Sequence, residues 1–510
     1  MSKSRDSEHQ TLINKDDPVV EVENNPTVQT KSGSPRGRRA EVDVIIIFLT
    51  YGIYLYHFCL LYLPEQGLTR TLQRYYVPTN IRLIYPNISS AMDSLSEDPY
   101  TIISPVYILA TFIGFMDAWN MPMFFFLSGQ NAYGALFRRS ETQFRTERVH
   151  RLLVPSLFLF VVTHFFKTLQ YFALQETQPK LTFLEYLQDN YKFFPPDQAW
   201  FLVYLFIYAQ LFTHWFRAFH PAHNSSDSDS LTCCGSTVCC CTTKPFNCFT
   251  KIFCCLNFMF KPAQNPHEFV SAVKWFLGGP TRRALLPGVI IGVVQTAQNL
   301  IPYSKCMPLM FSQFMMFYPF FVYMIVFLLG YAAAATDIVH EKEENTLCSW
   351  INFISGSLLC IAQYPVSCIL SNTISNYIVT GLMRGIGLWL FLIGSVAMAG
   401  KKFTAHKDWY ETLRMMAMPF YLTHYQILTV IFTGASWVPY LRTFPVMLII
   451  TSFATISISY LITKSGPICY FFGLPTPQDS FLPGTQIGGY VPVIALTMLV
   501  VGVIILANLL

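Results

Sequence analysis

The sequence predicts an all-α fold, a polytopic transmembrane helical bundle of about 10 to 11 spans. Three observations predict it. Hydrophobic residues make up 53% of the chain and charged residues only 12%, with a mean hydropathy of +0.39, whereas about a quarter of the residues of a soluble domain are charged. Several apolar stretches approach the ~20 residues that cross a ~30 Å hydrocarbon core as a helix. The basic residues fall in short clusters beside those stretches.

Residues 1–41 are polar, contain no long apolar run and read as a disordered cytoplasmic tail. No apolar segment of the signal-peptide type lies near the start, so none is expected to be cleaved. Spans are expected at about 42–63, 104–134, 152–172, 198–218, 284–302, 309–334, 347–369, 376–399, 415–433, 440–462 and 486–508. The membrane domain proper is placed at 42–462, with a C-terminal loop and an extra transmembrane helix at 463–510.

Lys and Arg set the expected orientation. Arg36, Arg38 and Arg39 precede the first span. Arg138, Arg139, Arg145, Arg148 and Arg151 fill the connection after the second, and Lys401, Lys402, Lys407 and Arg414 the one after the eighth. If the spans alternate, all three clusters face one side, which makes the protein multi-pass with a cytoplasmic N-terminus. Asn87 in "YPNISS" then lies in an outer loop, where its sequon is open to glycosylation. The modest net charge of +5, scattered beside apolar spans, gives no basic face for nucleic acid.

The inner connection 219–283 carries "CCGSTVCCC". Its Cys233, Cys234, Cys239, Cys240 and Cys241 lack the paired spacing of a zinc site, so no metal is expected there. Palmitoylation beside a membrane-entering helix is one reading, and an unmodified loop is the other.

Polar groups inside the spans are costly, roughly 3 kcal/mol for a charge at mid-helix, so they mark candidate sites. Asp43 stands at the mouth of the first span, and His57 lies 14 residues on, about 21 Å further along a helix. His57 is either a packed neutral imidazole or a general base, the role for which its ordinary pKa suits it. His424, between Tyr421 and Tyr425, poses the same choice as a possible second polar site. In the second span Asp117 and Asn120 interrupt an aromatic run, Pro122 should bend it, and Ser128-Gly129 offers a small break where backbone could approach a ligand. "PPDQAW" before the fourth span, ending at Trp200, looks like an interfacial anchor. Arg145, Arg148 and Arg151 recur every three residues, a spacing that lets them converge on one anion; topogenic charge alone, the commoner origin of such clusters, also explains them.

In order, these pieces resemble the acyltransferase-3 family of integral membrane O-acyltransferases. The likeness rests on Asp43 and His57, "MPMFFFLSG" at 121–129, "RTERVHRLLVP" at 145–155, "WFLVYLFIY" at 200–208 and "FYLTH" at 420–424, and covers roughly residues 41–462. The resemblance implies a helical bundle that takes an acyl group, acetyl in the first instance, from cytoplasmic acyl-CoA and transfers it to a hydroxyl of a carbohydrate or lipid-type acceptor. Acyl-CoA is then a co-substrate, with no resident cofactor. His57 matches the family's catalytic histidine, with Asp43 on the same helix, and Arg148 and Arg151 match its R-x-x-R pair. Arg145 adds a third basic residue and Ser128 lies in the "FLSG" segment, so all four are expected on the acyl-CoA side. The chain departs from the family at Ile46, where an arginine or lysine usually stands eleven residues before the histidine. An inactive family member, or a carrier of acyl groups or lipids, is therefore the alternative. The enzyme reading requires His57 and the guanidinium groups of Arg148 and Arg151 to line one continuous cavity.

Overall fold

A computed structural model describes residues 40–65, 105–163, 199–213, 280–300, 320–336, 346–370, 374–403, 408–435 and 443–474, with residues 216, 271, 273 and 275–277. All belong to one compact unit, Arg38–Leu510. Asn87, Cys233, Cys234, Cys239, Cys240, Cys241, most of the 1–41 tail and the expected last span lie outside the described residues.

Among the described residues every regular element is a helix. In chain order these are α1 Ala40–Glu65, α2 Pro105–Arg138, α3 Glu141–Arg148, a π-helical turn Val149–Leu153, α4 Trp200–Leu211, α5 Pro280–Leu300, α6 Phe320–Ala335, α7 Thr346–Ile369, α8 Ile374–Lys402, α9 Asp408–Ala435, α10 Phe444–Lys464 and α11 Gly466–Phe471. Segments in α1, α7, α8, α9 and α10 are long and apolar enough to cross a membrane, and shorter apolar helices lie at Trp200–Leu211, Leu285–Ala297 and Phe320–Ala335. Several long apolar helices of this kind are compatible with a multi-pass membrane protein. The stretch after 462, expected as a loop, begins with the short helix α11.

Backbone hydrogen bonds in lipid must be met within the segment, which is why apolar runs of this length settle as helices. Helices in such a setting associate by close packing, so glycines decide where they cross. A Cβ on Gly129 of α2 would collide with the Phe327 carbonyl of α6, and one on Gly330 of α6 would collide with the Phe126 carbonyl of α2. The break expected at Ser128-Gly129 to admit a ligand is thus filled by a neighbouring helix, and Ser128 is half-buried beside it. Gly288 and Gly292 of α5 meet Gly381 and Gly385 of α8 in the same way, a reciprocal pair of G-x-x-x-G stripes.

The aromatic run after Pro122 forms the core. Phe125 stacks on Tyr323 of α6 at 4.7 Å, and Tyr323 stacks on Trp200 of α4 at 5.3 Å. Trp200 is therefore interior, 8% exposed, rather than an interfacial anchor. The Tyr208 hydroxyl donates to the Phe320 carbonyl at 2.6 Å and the Tyr331 hydroxyl to the Phe216 carbonyl at 2.7 Å. Cross-helix bonds of this kind contribute about 0.6 kcal/mol each.

Pro122 cannot donate to the Ala118 carbonyl, and its ring disturbs the turn before it. One residue earlier, Arg384 of α8 donates from Nη2 to the Asp117 carbonyl at 3.2 Å and to Asp117 Oδ2 at 3.0 Å. Two opposite charges inside apolar helices are thereby joined as a neutral pair, as the cost of burying either alone demands.

Candidate functional site

The two histidines of the long apolar helices α1 and α9 meet. His57 of α1 and His424 of α9 place Nδ1 and Nε2, respectively, 2.7 Å apart, with ring centroids separated by 5.0 Å. His424 is fully buried, and its Nδ1 lies 2.6 Å from the Tyr421 carbonyl and 3.2 Å from the Phe420 carbonyl. Those carbonyls only accept, so Nδ1 of His424 carries its proton. In a neutral His424 the other nitrogen, Nε2, is then an acceptor, and the proton between the rings belongs to His57 Nδ1. His57 is left with an unprotonated Nε2, a lone pair with no partner among the described residues. Backbone geometry on α9 thus fixes the tautomer of a side chain on α1.

Rings hold the pair in place. Phe420 lies nearly parallel to His424 at 6.4 Å, while Tyr56 and Tyr425 stand edge-on to His57 at 5.2 and 5.5 Å. One turn before His57, the Tyr54 hydroxyl lies 2.6 Å from Thr451 Oγ1 of α10. Since Thr451 already donates to the Met447 carbonyl at 2.7 Å, Tyr54 is the donor, and α1 is tied to α10 as well as α9. His57 is half-buried.

Asp43 does not join this site. It lies in the first turn of α1, buried, with its Oδ1 3.9 Å from Nε of Arg414 on α9. The 14 residues between Asp43 and His57 correspond to about 21 Å of helix. The partner that orients His57 is His424, not the carboxylate.

The three arginines also separate. Arg145 forms a buried pair with Glu141 at 2.7 Å, and its carbonyl accepts from Gln210 Nε2 of α4 at 3.3 Å. Arg151, half-exposed in the π turn, pairs with Glu147 at 2.9 Å, and the same glutamate pairs with Arg139. Arg148 lies over the Phe144 ring at 4.7 Å and has no carboxylate within ion-pair distance among the described residues. Burial, opposed by Glu147, draws its guanidinium down to about 10, which leaves it charged at neutral pH. Two guanidiniums, Arg139 and Arg151, thus share one carboxylate, and Arg148 beside them has none. A single anion clasped by Arg145, Arg148 and Arg151 together does not fit, because Arg145 is committed to Glu141.

Beside this segment is a cavity of about 640 Å³, lined by Arg151, Glu147, His150, Thr146 and Tyr470 among others. A second, of about 10 Å³, lies at the α2 kink against Pro122, Tyr323 and Arg384. Neither cavity is lined by His57, so the single continuous cavity expected from the sequence is not formed by these two. Among the described residues no cluster of His, Cys, Asp or Glu could hold a metal ion.

Arg384 escaped the sequence reading although it is a lone charge inside "TGLMRGIGLWLF". Its signal was a second intramembrane charge, opposite in sign to Asp117. The glutamate partners escaped too, although Glu141 with Arg145 and Glu147 with Arg151 stand at i,i+4.

Comparison with protein-family models, with curated proteins and with solved structures finds no match to this chain.

Proposed function

We propose that the protein is a multi-pass membrane O-acyltransferase, with about ten to eleven spans and a cytoplasmic N-terminus. In this reading it moves an acyl group, acetyl in the first instance, from acyl-CoA to a hydroxyl of a carbohydrate or lipid-type acceptor. The observation that carries it is the free Nε2 of His57, held unprotonated by the chain His57–His424–Tyr421 carbonyl. The acceptor hydroxyl gives its proton to Nε2, and its oxygen attacks the thioester carbonyl. The carbon–sulfur bond breaks, and the thiolate leaves with the proton from His57 as free CoA. While His57 is an imidazolium, its Nδ1–H still donates to neutral His424, so neither ring need turn during the cycle. Arg148 and Arg151 supply guanidiniums for the donor phosphates. The resemblance in residues 41–462 supports the same reaction class.

A second reading, transport of acyl groups or lipids without chemistry, is favoured by one observation: neither cavity reaches His57. Purified protein with labelled acetyl-CoA separates the two. The expected result is transfer or hydrolysis that falls at least ~10²-fold in His57→Ala. Equal turnover in wild type and variant removes His57 from the mechanism, and labelled lipid movement without turnover establishes the carrier.

A further inference from the structure

The cavity beside the arginines has a wall that lies beyond residue 462, outside the stretch that resembles the acyltransferases. Residues 465–474 fold back as α11 and a hook. Phe158 stacks on Phe471 at 5.0 Å and meets Phe472 at 5.6 Å. Gly473 adopts φ +64, and a Cβ there would lie 2.9 Å from Arg151 Cα, so only glycine allows this approach. The hook is therefore docked, and it forms one side of an open cavity of about 640 Å³. That size falls within the ~300–1,000 Å³ of small-molecule sites.

The lining is specific in kind. Tyr470 and His150 meet edge to face at 4.2 Å and form a corner of ring surface. Thr142, Thr146 and Gln143 supply uncharged polar groups, and Arg151 lines the same space together with its ion-pair partner Glu147. Glu147 also pairs with Arg139, and Arg148, the next residue along, has no ion pair among the described residues, so the segment beside the cavity carries more positive charge than negative. Burial, with Arg151 nearby, holds His150 below its usual pKa, so at neutral pH it presents an uncharged ring. Planar rings, hydroxyls and a half-exposed guanidinium in a net positive segment together suit a purine base linked to phosphate, since bases stack on aromatic side chains and phosphates seek guanidinium.

We propose that the hook 465–474 forms one wall of a nucleotide subsite, in which Tyr470 and His150 receive the base and Arg151 draws the phosphates. This rests on the acyl-CoA reading and names the part of the donor that the cavity holds.

The test is equilibrium binding to full-length protein in lipid nanodiscs, with acetyl-CoA, adenosine 3′,5′-bisphosphate, pantetheine and inositol 1,4-bisphosphate as probes. Acetyl-CoA and the adenosine bisphosphate should bind. Both should weaken on the order of 10-fold in Tyr470→Ala, recover in Tyr470→Phe, and weaken in Gly473→Ala, while any pantetheine binding stays unchanged. Unaltered nucleotide binding in Tyr470→Ala and Gly473→Ala overturns the subsite and leaves the acyltransferase reading standing. Nucleotide binding that depends on Tyr470, in a protein without acyl transfer, supports the subsite and removes the enzyme. Binding of inositol bisphosphate with none of the adenosine compound overturns the nucleotide assignment in favour of a lipid headgroup.

Discussion

At the His57–His424 pair every ring nitrogen but one has a partner, and the chain of donors and acceptors ends on backbone carbonyls. Around the π turn two guanidiniums share a single carboxylate, and a third, Arg148, has only a ring beneath it. The difference follows from solvent. Where helices pass through apolar surroundings, an unpaired charge or orphaned donor costs several kcal/mol, which favours pairing of the kind the two histidines make, although the buried amides of Asn120 and Gln130 have no hydrogen-bond partner among the described residues. Asp117 and Arg384 obey the same rule, bonded to each other at 3.0 Å. In the arginine segment burial differs from residue to residue: Arg145 is buried against Glu141, Arg151 is half-exposed beside Glu147, and Arg148 has no ion pair among the described residues. In the proposed reaction the histidine region moves a proton without changing shape, and the arginine region binds the donor.

The sharpest way to break this contrast is at the one arginine that behaves like the membrane pairs. Glu141→Ala leaves Arg145 buried without its carboxylate, and should cost about 3–5 kcal/mol of stability. Thermal unfolding in detergent should register that loss, while the KM for acyl-CoA in the folded fraction stays put. A fall in donor affinity instead would return Arg145 to the binding site. Next in size is His424→Leu, which removes the acceptor that fixes the His57 tautomer. Turnover should drop on the order of 10²-fold and its pH profile should shift, with partial recovery in His424→Gln because the amide oxygen can accept from Nδ1–H. A flat response in both variants would make His424 mere packing.

Arg148→Ala should raise the KM for acyl-CoA on the order of 10-fold, the equivalent of one charged hydrogen bond, with kcat nearly unchanged. Arg148→Lys should recover only part of the loss, since a lysine cannot grip bidentately. Smallest is Arg151→Gln. Its ion pair with Glu147 is half in water, so stability should change by under about 1 kcal/mol. Raising salt from 0.1 to 1 M, which shortens the Debye length from about 10 to 3 Å, should weaken donor binding several-fold and leave a histidine-limited kcat alone. Salt-independent KM values would mean that the excess charge plays no part in binding.

The helices were legible because each depends on a local quantity, the length of an apolar run. His57 and His424 were legible one at a time as polar exceptions. Their contact was not, because it joins residues 367 apart and depends on the rotation of two helices about their axes. Gly129 shows the same limit: its smallness was evident, but whether a ligand or another backbone filled the space depended on where α6 packs. Asp43 and the arginines were legible as charges, and their partners decided what each could do. Arg145 and Arg148 look alike in "RTERVHR", yet one is neutralised by Glu141 and the other lies over a phenyl ring. The docking of Tyr470 against His150 has no local signature, since α11 follows the last helix that the apolar pattern marks in this region.

The crossing at Gly129 and Gly330 has a mechanical consequence. With no side chain between them, the backbones of α2 and α6 come into direct contact, each glycine seated against a carbonyl of the other helix. Ring contacts of Phe125 with Tyr323 and of Tyr133 with Tyr331 extend that contact to either side of the crossing. Beyond it α2 runs on from Gln130 to Arg138 and leads through Ser140 into α3 and the arginine segment. The crossing therefore clamps the helix from which the arginine segment departs, and a side chain at either glycine would wedge that clamp open.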